Sequence, residues 1–211
     1  KTHISNFYAA IGDRLIHFNA NIDTGKLRQN GSLRFGLNIQ YVCSHPNLGI
    51  IYLALSNGGP GNKGTEHKLC ACNLNTKDGT IEDIINSVTL PYRPLHLSID
   101  HQKKHALVAY NNPCFISVHQ LESSGAISSL IKQDINLDAG IFGHQIMATP
   151  DGKEVLFACR GFDALNGQPE QPGALKVFDY EDGKLSFKHS IAPNRGIGFG
   201  ARHLDFHQNK N

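Results

Sequence analysis

The stretch GHQIMATPDGKEVLFACRGFDALNGQPEQPGALKVFDYEDGKL, from Gly143 to Leu185, decides the fold. An alternating run through Ile146 and Ala148 meets a turn at Pro150, Asp151 and Gly152, and a β-rich run from Val155 to Cys159 follows. After a loop rich in Gly and Pro, a third run covers Leu175 to Tyr180, and Glu181-Asp182-Gly183 turns the chain into a fourth. The stretch therefore predicts a four-stranded antiparallel meander.

The same pattern recurs upstream at VCSHPNLGIIYLA (42–54) and LSIDHQKKHALVA (97–109), and begins again at LDFHQNKN (204–211). Third-strand candidates recur with it, at Cys70 to Leu74 and Ile116 to Leu121. The first inward aliphatics, Val42, Leu97, Ile146 and Leu204, are 55, 49 and 58 residues apart. Periods of this size built only of short strands indicate an all-β β-propeller of four-stranded antiparallel blades. Helical solenoids are excluded, because no segment keeps a 3.6-residue period for three turns.

The repeats divide one domain, 1–211, into 4–39, 40–94, 95–143, 144–201 and an incomplete 202–211, about four blades' worth. Residues 4–27 supply two strands and a turn that match the second and third strands of later units, so the first blade lacks an inner strand. The second unit carries an insertion, NGGPGNKGTEH (57–67), where the next has only a short loop at 111–114. The final unit is expected to form one strand. Three complete units with two partial ends do not close a ring, so the sequence is expected to be a piece of a longer propeller.

Composition narrows the function. With 40% apolar and 18% charged residues, a net charge of +2, no Trp and no long basic run, nucleic acid is not an expected partner. No apolar run approaches a membrane span, and the first residues, KTHISNFYAA, lack the layout of a signal peptide. The five cysteines, an odd count, fall mostly in apolar strand runs and read as buried thiols of a reducing, cytoplasmic compartment. Cys70 and Cys72 share a strand face without a second pair of metal-ligand spacing, so no zinc site and no cofactor is expected.

Two residues before each inner-strand aliphatic stand Gln40, Leu95, His144 and Arg202. Inner strands surround a propeller's channel, so equivalent positions in adjacent blades are neighbours at one mouth, and His144 and Arg202 should meet there. Lys63, Glu66, Arg93, Arg160, Asp163, Arg195 and His203 come from segments that emerge at the same end. A basic, titratable mouth favours a small anionic ligand. The bland alternatives are a His144 bonded to loop carbonyls and an Arg202 that struts two blades. His45, His101, His105 and His207 sit at hairpin turns and read as solvated, and Glu66 and Asp163 as loop carboxylates. GGPGNKGT (58–65) lacks the order and following helix of a phosphate loop, so its glycines are expected to fold the insertion over the mouth.

Five segments, YVCSHPNLGIIYLALSNGGPG, RPLHLSIDHQKKHALVAYNN, GHQIMATPDG, PGALKVFDYEDGKL and GFGARHLDFH, resemble the lactonase family of seven-bladed β-propellers. That family includes cycloisomerase-type 6-phosphogluconolactonases and carboxymuconate lactonizing enzymes. The resemblance implies that His144 is the active-site histidine and Arg202 the arginine of a Gly-Pro-Arg-His motif, here Gly200-Ala201-Arg202-His203. His203, Arg160 and Arg93, which strand direction brings to the same mouth, are the expected substrate contacts. The family's glutamate and a further arginine would fall beyond Asn211, and seven blades of ~45 residues need roughly 300 or more. The implied activity is metal-free hydrolysis of a small anionic sugar lactone such as 6-phosphogluconolactone, in the pentose phosphate pathway. The alternatives are a muconate-type cycloisomerase and a non-catalytic binding propeller. A Ca²⁺-dependent lactonase fits poorly, because the inner-strand starts bring no set of carboxylates.

Overall fold

The computed structural model describes residues 3–207, and strands account for all of its long elements. Three complete blades follow one another. The first has β4 (Asn38–Ser44), β5 (Ile50–Ser56), β6 (His67–Leu74) and β7 (Ile81–Thr89), and the second β8 (Pro94–Ile99), β9 (His105–Tyr110), β10 (Phe115–Leu121) and β11 (Ile127–Ile131). The third, β12 (Gly143–Ala148), β13 (Glu154–Cys159), β14 (Ala174–Glu181) and β15 (Lys184–Ile191), is the meander expected from its turns. Each sheet pairs antiparallel in chain order, and β4, β8 and β12 lie side by side as the inner strands.

A three-stranded sheet of β1 (Ile4–Ile11), β2 (Arg14–Asn21) and β3 (Lys26–Arg34) precedes them. It holds one strand more than the two expected. Lys26–Arg34 reads KLRQNGSLR and is almost wholly exposed, so it carries little apolar alternation, and it forms because its backbone pairs with β2. Strand β1 has no partner on its other side among the described residues, and Ile4, Phe7 and Ile11 stand exposed along it. An unpaired edge of this kind invites another strand.

The cores lie between blades. One cluster joins Tyr52, Ala54 and Leu69 to Leu97, Val108 and Tyr110, and a second joins Leu107, Ala109 and Val118 to Ile146, Phe157 and Phe178. Every residue of β5 and β9 is buried, as expected of strands sandwiched between neighbouring sheets. Hydrogen bonds tie the layers as well: Tyr52 Oη donates to Gly125 O at 2.8 Å, and Ser98 Oγ to Ile146 O at 2.8 Å.

Three expectations are corrected. His45 and His105 occupy hairpin turns but are buried, at 9% and 3% exposure. His45 Nδ1 accepts from the N–H groups of Asn47 and Leu48, and His105 bonds Asp100, so each ring replaces water with local partners. The unit from 202 onward forms no strand among its described residues, 202–207. It pairs in a ladder with no described strand and is held by a side chain of β12, described below.

Candidate active site at the propeller mouth

The inner strands share an irregularity that builds the site. Pairing between inner and second strands skips a residue at the same place in all three blades: between Ile39 and Tyr41, between Pro94 and His96, and between Gly143 and Gln145. The skipped residues are Gln40, Leu95 and His144. A bulge sets two residues against one and re-aims the extra side chain. Leu95 and His144 accordingly line the mouth, while Gln40 accepts a 2.9 Å hydrogen bond from Arg93 Nε there. Gly143 is required by close approach: a Cβ on it would stand 2.0 Å from Cζ of Phe157, which is fully buried.

The mouth holds a cavity of about 530 Å³. His144, Arg202, Arg160, Arg93 and Lys63 all line it, with Leu95, Phe142, Asn111, Asn112 and the tip of the 57–67 insertion. Among the described residues, no carboxylate contributes to the lining. Four cations around one concavity, without acidic counterparts in its wall, raise the local concentration of anions. Arg160 lies over the Phe142 ring at 5.4 Å and pairs with Asp163, whereas Lys63 and Arg202 have no ion-pair partner among the described residues.

The insertion brings Lys63 to the cavity through its own bonds. Asn57 Oδ1 accepts from the N–H groups of Thr65 (2.8 Å) and Glu66 (3.0 Å), closing the loop at its neck. Gly64 is in the left-handed region, at φ 69°, and packs so closely on Gly58 that a Cβ would meet its nitrogen at 2.5 Å. Glycine is needed there on both counts. Glu66 turns away to Lys68, at 2.8 Å.

His144 is distinct from the molecule's other enclosed histidines. Its Nδ1 is buried and has no hydrogen-bond partner among the described residues. Burial pushes its pKa below the ordinary 6.5, the nearby His203 and Arg202 push it further, and a backbone hydrogen bond at Arg202 partly opposes them. The imidazole is therefore neutral at pH 7, the form that accepts a proton. His203 stands edge-on to it, with ring centroids 4.8 Å apart.

Gln145 sets this pair. Its amide brackets Leu204, with Nε2 donating to Leu204 O at 2.9 Å and Oε1 accepting from Leu204 N at 3.0 Å. With the amide so oriented, Oε1 also accepts from His203 Nδ1 at 3.1 Å. One side chain thereby anchors the segment that carries Arg202 and His203. His203 faces Gln145 and His144 rather than the cavity, while His144, Arg202, Arg160 and Arg93 share the cavity wall.

Sequence reasoning passed over Gln145 and the channel residue His96. The signal was one position further along each repeat, where Tyr41, His96, Gln145 and His203 are equivalent. Contacts link these positions from blade to blade. Tyr41 and His96 have ring centroids 4.2 Å apart, Ile146 N reaches His96 Nδ1 at 3.5 Å, and Gln145 holds His203. Burial, then His203 and His144, lower the His96 pKa to about 4.

Comparison with known proteins agrees with this architecture. The profile of the family described as "Lactonase, 7-bladed beta-propeller" matches residues 2–211. Among solved structures, the periplasmic gluconolactonase of Pseudomonas aeruginosa superposes with a TM-score of 0.63 at 15% identity, over 90% of this chain and 69% of that one. A protein from Lactobacillus plantarum gives 0.62 at 17% identity, over 88% and 53%. A Bacteroides fragilis protein assigned as a 6-phosphogluconolactonase gives 0.57 at 15% identity, over 90% and 66%. At these identities the likeness is one of fold, and the chain spans 53% to 69% of the three lengths. No curated protein matches the sequence.

Proposed function

Because the chain belongs to the family of seven-bladed β-propeller lactonases, we propose that the mouth cavity binds and hydrolyses a small anionic sugar lactone, of which 6-phosphogluconolactone is the first candidate. The observation that carries this reading is a His144 with a lowered pKa in the wall of a cavity to which the described residues bring four cations and no carboxylate. Such a wall suits an anion rather than a hard cation, which needs several oxygen ligands.

In this reading Lys63, Arg93 and Arg160 hold the substrate's phosphate or carboxylate, and Arg202 faces the lactone carbonyl. His144 accepts a proton from water as the water attacks that carbonyl. Arg202 stabilises the oxyanion of the tetrahedral intermediate. As the ring C–O bond breaks, His144 returns the proton to the leaving alkoxide and regains its neutral form. Burial, His203 and Arg202 all disfavour the charged imidazole, which keeps His144 ready to release the proton. The five free thiols fit a reducing, cytoplasmic setting for this chemistry.

The test is hydrolysis of 6-phosphogluconolactone measured against its spontaneous rate, by the wild type, His144→Ala and Arg202→Ala. Acceleration by the wild type with loss of most of it in both variants is expected. A folded wild type that leaves the spontaneous rate unchanged overturns the assignment.

A further inference from the structure

Beneath the mouth, two cysteines from adjacent blades converge on one backbone oxygen. Cys114, just before β10, and Cys159, the last residue of β13, each place Sγ 3.2 Å from Ala139 O. Gly143, the ladder partner of Cys159, directs its N–H to Cys114 Sγ at 3.1 Å. Each sulfur is near enough to perturb the other's ionisation. The lactonase reading gives neither sulfur a role.

We propose that Cys114 and Cys159 form an oxidisable dithiol that peroxide converts to a disulfide clamping the second complete blade to the third under the cavity. The geometry assigns different parts to the two sulfurs. Cys159 is fully buried, while Cys114 is half-buried and follows Asn111 and Asn112 of the cavity wall, so Cys114 is the sulfur an oxidant reaches. The neighbouring Cys159 thiol, together with the Gly143 N–H, outweighs burial and pulls the Cys114 thiol below its usual pKa, whereas Cys114 and burial together hold Cys159 well above its own. The thiolate is the form that attacks.

Cys114 as thiolate attacks one oxygen of hydrogen peroxide, and hydroxide leaves, giving a sulfenic acid. Cys159 sulfur then attacks Cys114 sulfur. The S–S bond forms, the S–O bond breaks, and the Cys159 proton leaves with the hydroxyl as water. Two electrons pass from the two sulfurs to one peroxide. The clamp would replace the thiol contacts to Ala139 O and change the acceptor of the Gly143 N–H, next to His144. Disulfide closure does not depend on the lactonase assignment, so its readout is covalent rather than catalytic.

The experiment treats the folded chain with hydrogen peroxide, alkylates remaining thiols, and maps peptides by mass spectrometry without reductant. The expected result is a linked pair of peptides carrying Cys114 and Cys159, a mass loss of about 2 Da, and restoration by dithiothreitol. Cys43, Cys70 and Cys72 remain alkylatable after denaturation. In Cys159→Ser, a dimedone adduct should form at Cys114 with no cross-link, and in Cys114→Ser, Cys159 should resist peroxide. Recovery of all five thiols, or oxidation of Cys114 to sulfinic acid in the wild type without a linked peptide, would overturn the proposal.

Discussion

His105 and His144 are both enclosed by β-strands, in neighbouring blades at opposite ends of the propeller, yet their surroundings differ in kind. His105 Nδ1 bonds Asp100 at 2.9 Å, and the same carboxylate accepts from the N–H groups of Lys104 and His105 and from Tyr180 Oη. That network ties a hairpin of one blade to a strand of the next and is satisfied at each group named. His144 sits on a bulge, with a buried ring nitrogen that has no partner among the described residues and cations on its open side. A protein gains stability from the first arrangement. It gains proton-transfer capacity from the second, because an imidazole in a cavity wall can meet a substrate or water there.

The largest expected effect follows from breaking the satisfied end. Asp100→Ala leaves a buried imidazole, a buried phenol and two N–H groups without their acceptor, and should cost about 3–5 kcal/mol by denaturant unfolding. Asp100 keeps its carboxyl below the usual range despite burial, through bonds from His105, Lys104 and Tyr180. Its stabilisation is thus present above the unfolded carboxylate pKa and is lost as pH falls through the lower folded value.

His144→Ala should show the reverse pattern. It lowers the catalysed rate by ~10²–10⁴ but moves the unfolding midpoint far less than Asp100→Ala, since it removes no acceptor shared by several buried donors. A large loss of stability in this variant would place His144 with His105 as a structural residue.

Acid sharpens the comparison through two further histidines. Burial lowers both His96 and His119 from 6.5 to about 4. In the unfolded chain they protonate near 6.5, in the fold only near 4, so stability is full above pH 6.5 and declines between those values. The slope reaches roughly 1.4 kcal/mol per pH unit for each histidine. Unfolding curves from pH 7.5 to 4 in the wild type and in His119→Gln measure it, and the variant should have the shallower dependence.

The smallest effect is expected at Lys63, which lines the cavity from an exposed loop. Lys63→Ala should leave stability within about 0.5 kcal/mol and raise KM for an anionic lactone several-fold, with kcat little changed. A kcat loss equal to that of His144→Ala would move Lys63 from binding to chemistry.

The repeat was readable because turns at Pro150 to Gly152 and at Glu181 to Gly183 punctuate runs of apolar alternation, and the blades are joined by those inner faces. Strand Lys26–Arg34 escaped because it faces solvent along most of its length and owes its conformation to pairing, which leaves no local signature. His144 and Arg202 were placed at one mouth by repeat equivalence, and they share its cavity. The bulge that aims His144 was not legible, because skipping one ladder partner leaves residue spacing unchanged. Gln145 was missed for a related reason. Its work is to hold a backbone segment 59 residues later in sequence, and a lone glutamine beside an inner-strand aliphatic gives no hint of a partner so distant. His45 and His105 read as surface because turn position was weighed without the side-chain bonds that let a polar ring be buried.

The most direct test is an NMR titration of the His144 imidazole in the folded chain, assigned with His144→Ala. It should be neutral at pH 7 with a midpoint below 6.5, and 6-phosphogluconate, which brings an anion into the cationic mouth, should raise that midpoint. A midpoint at or above 6.5, unmoved by the ligand, would contradict a neutral base held ready at an anion-binding mouth.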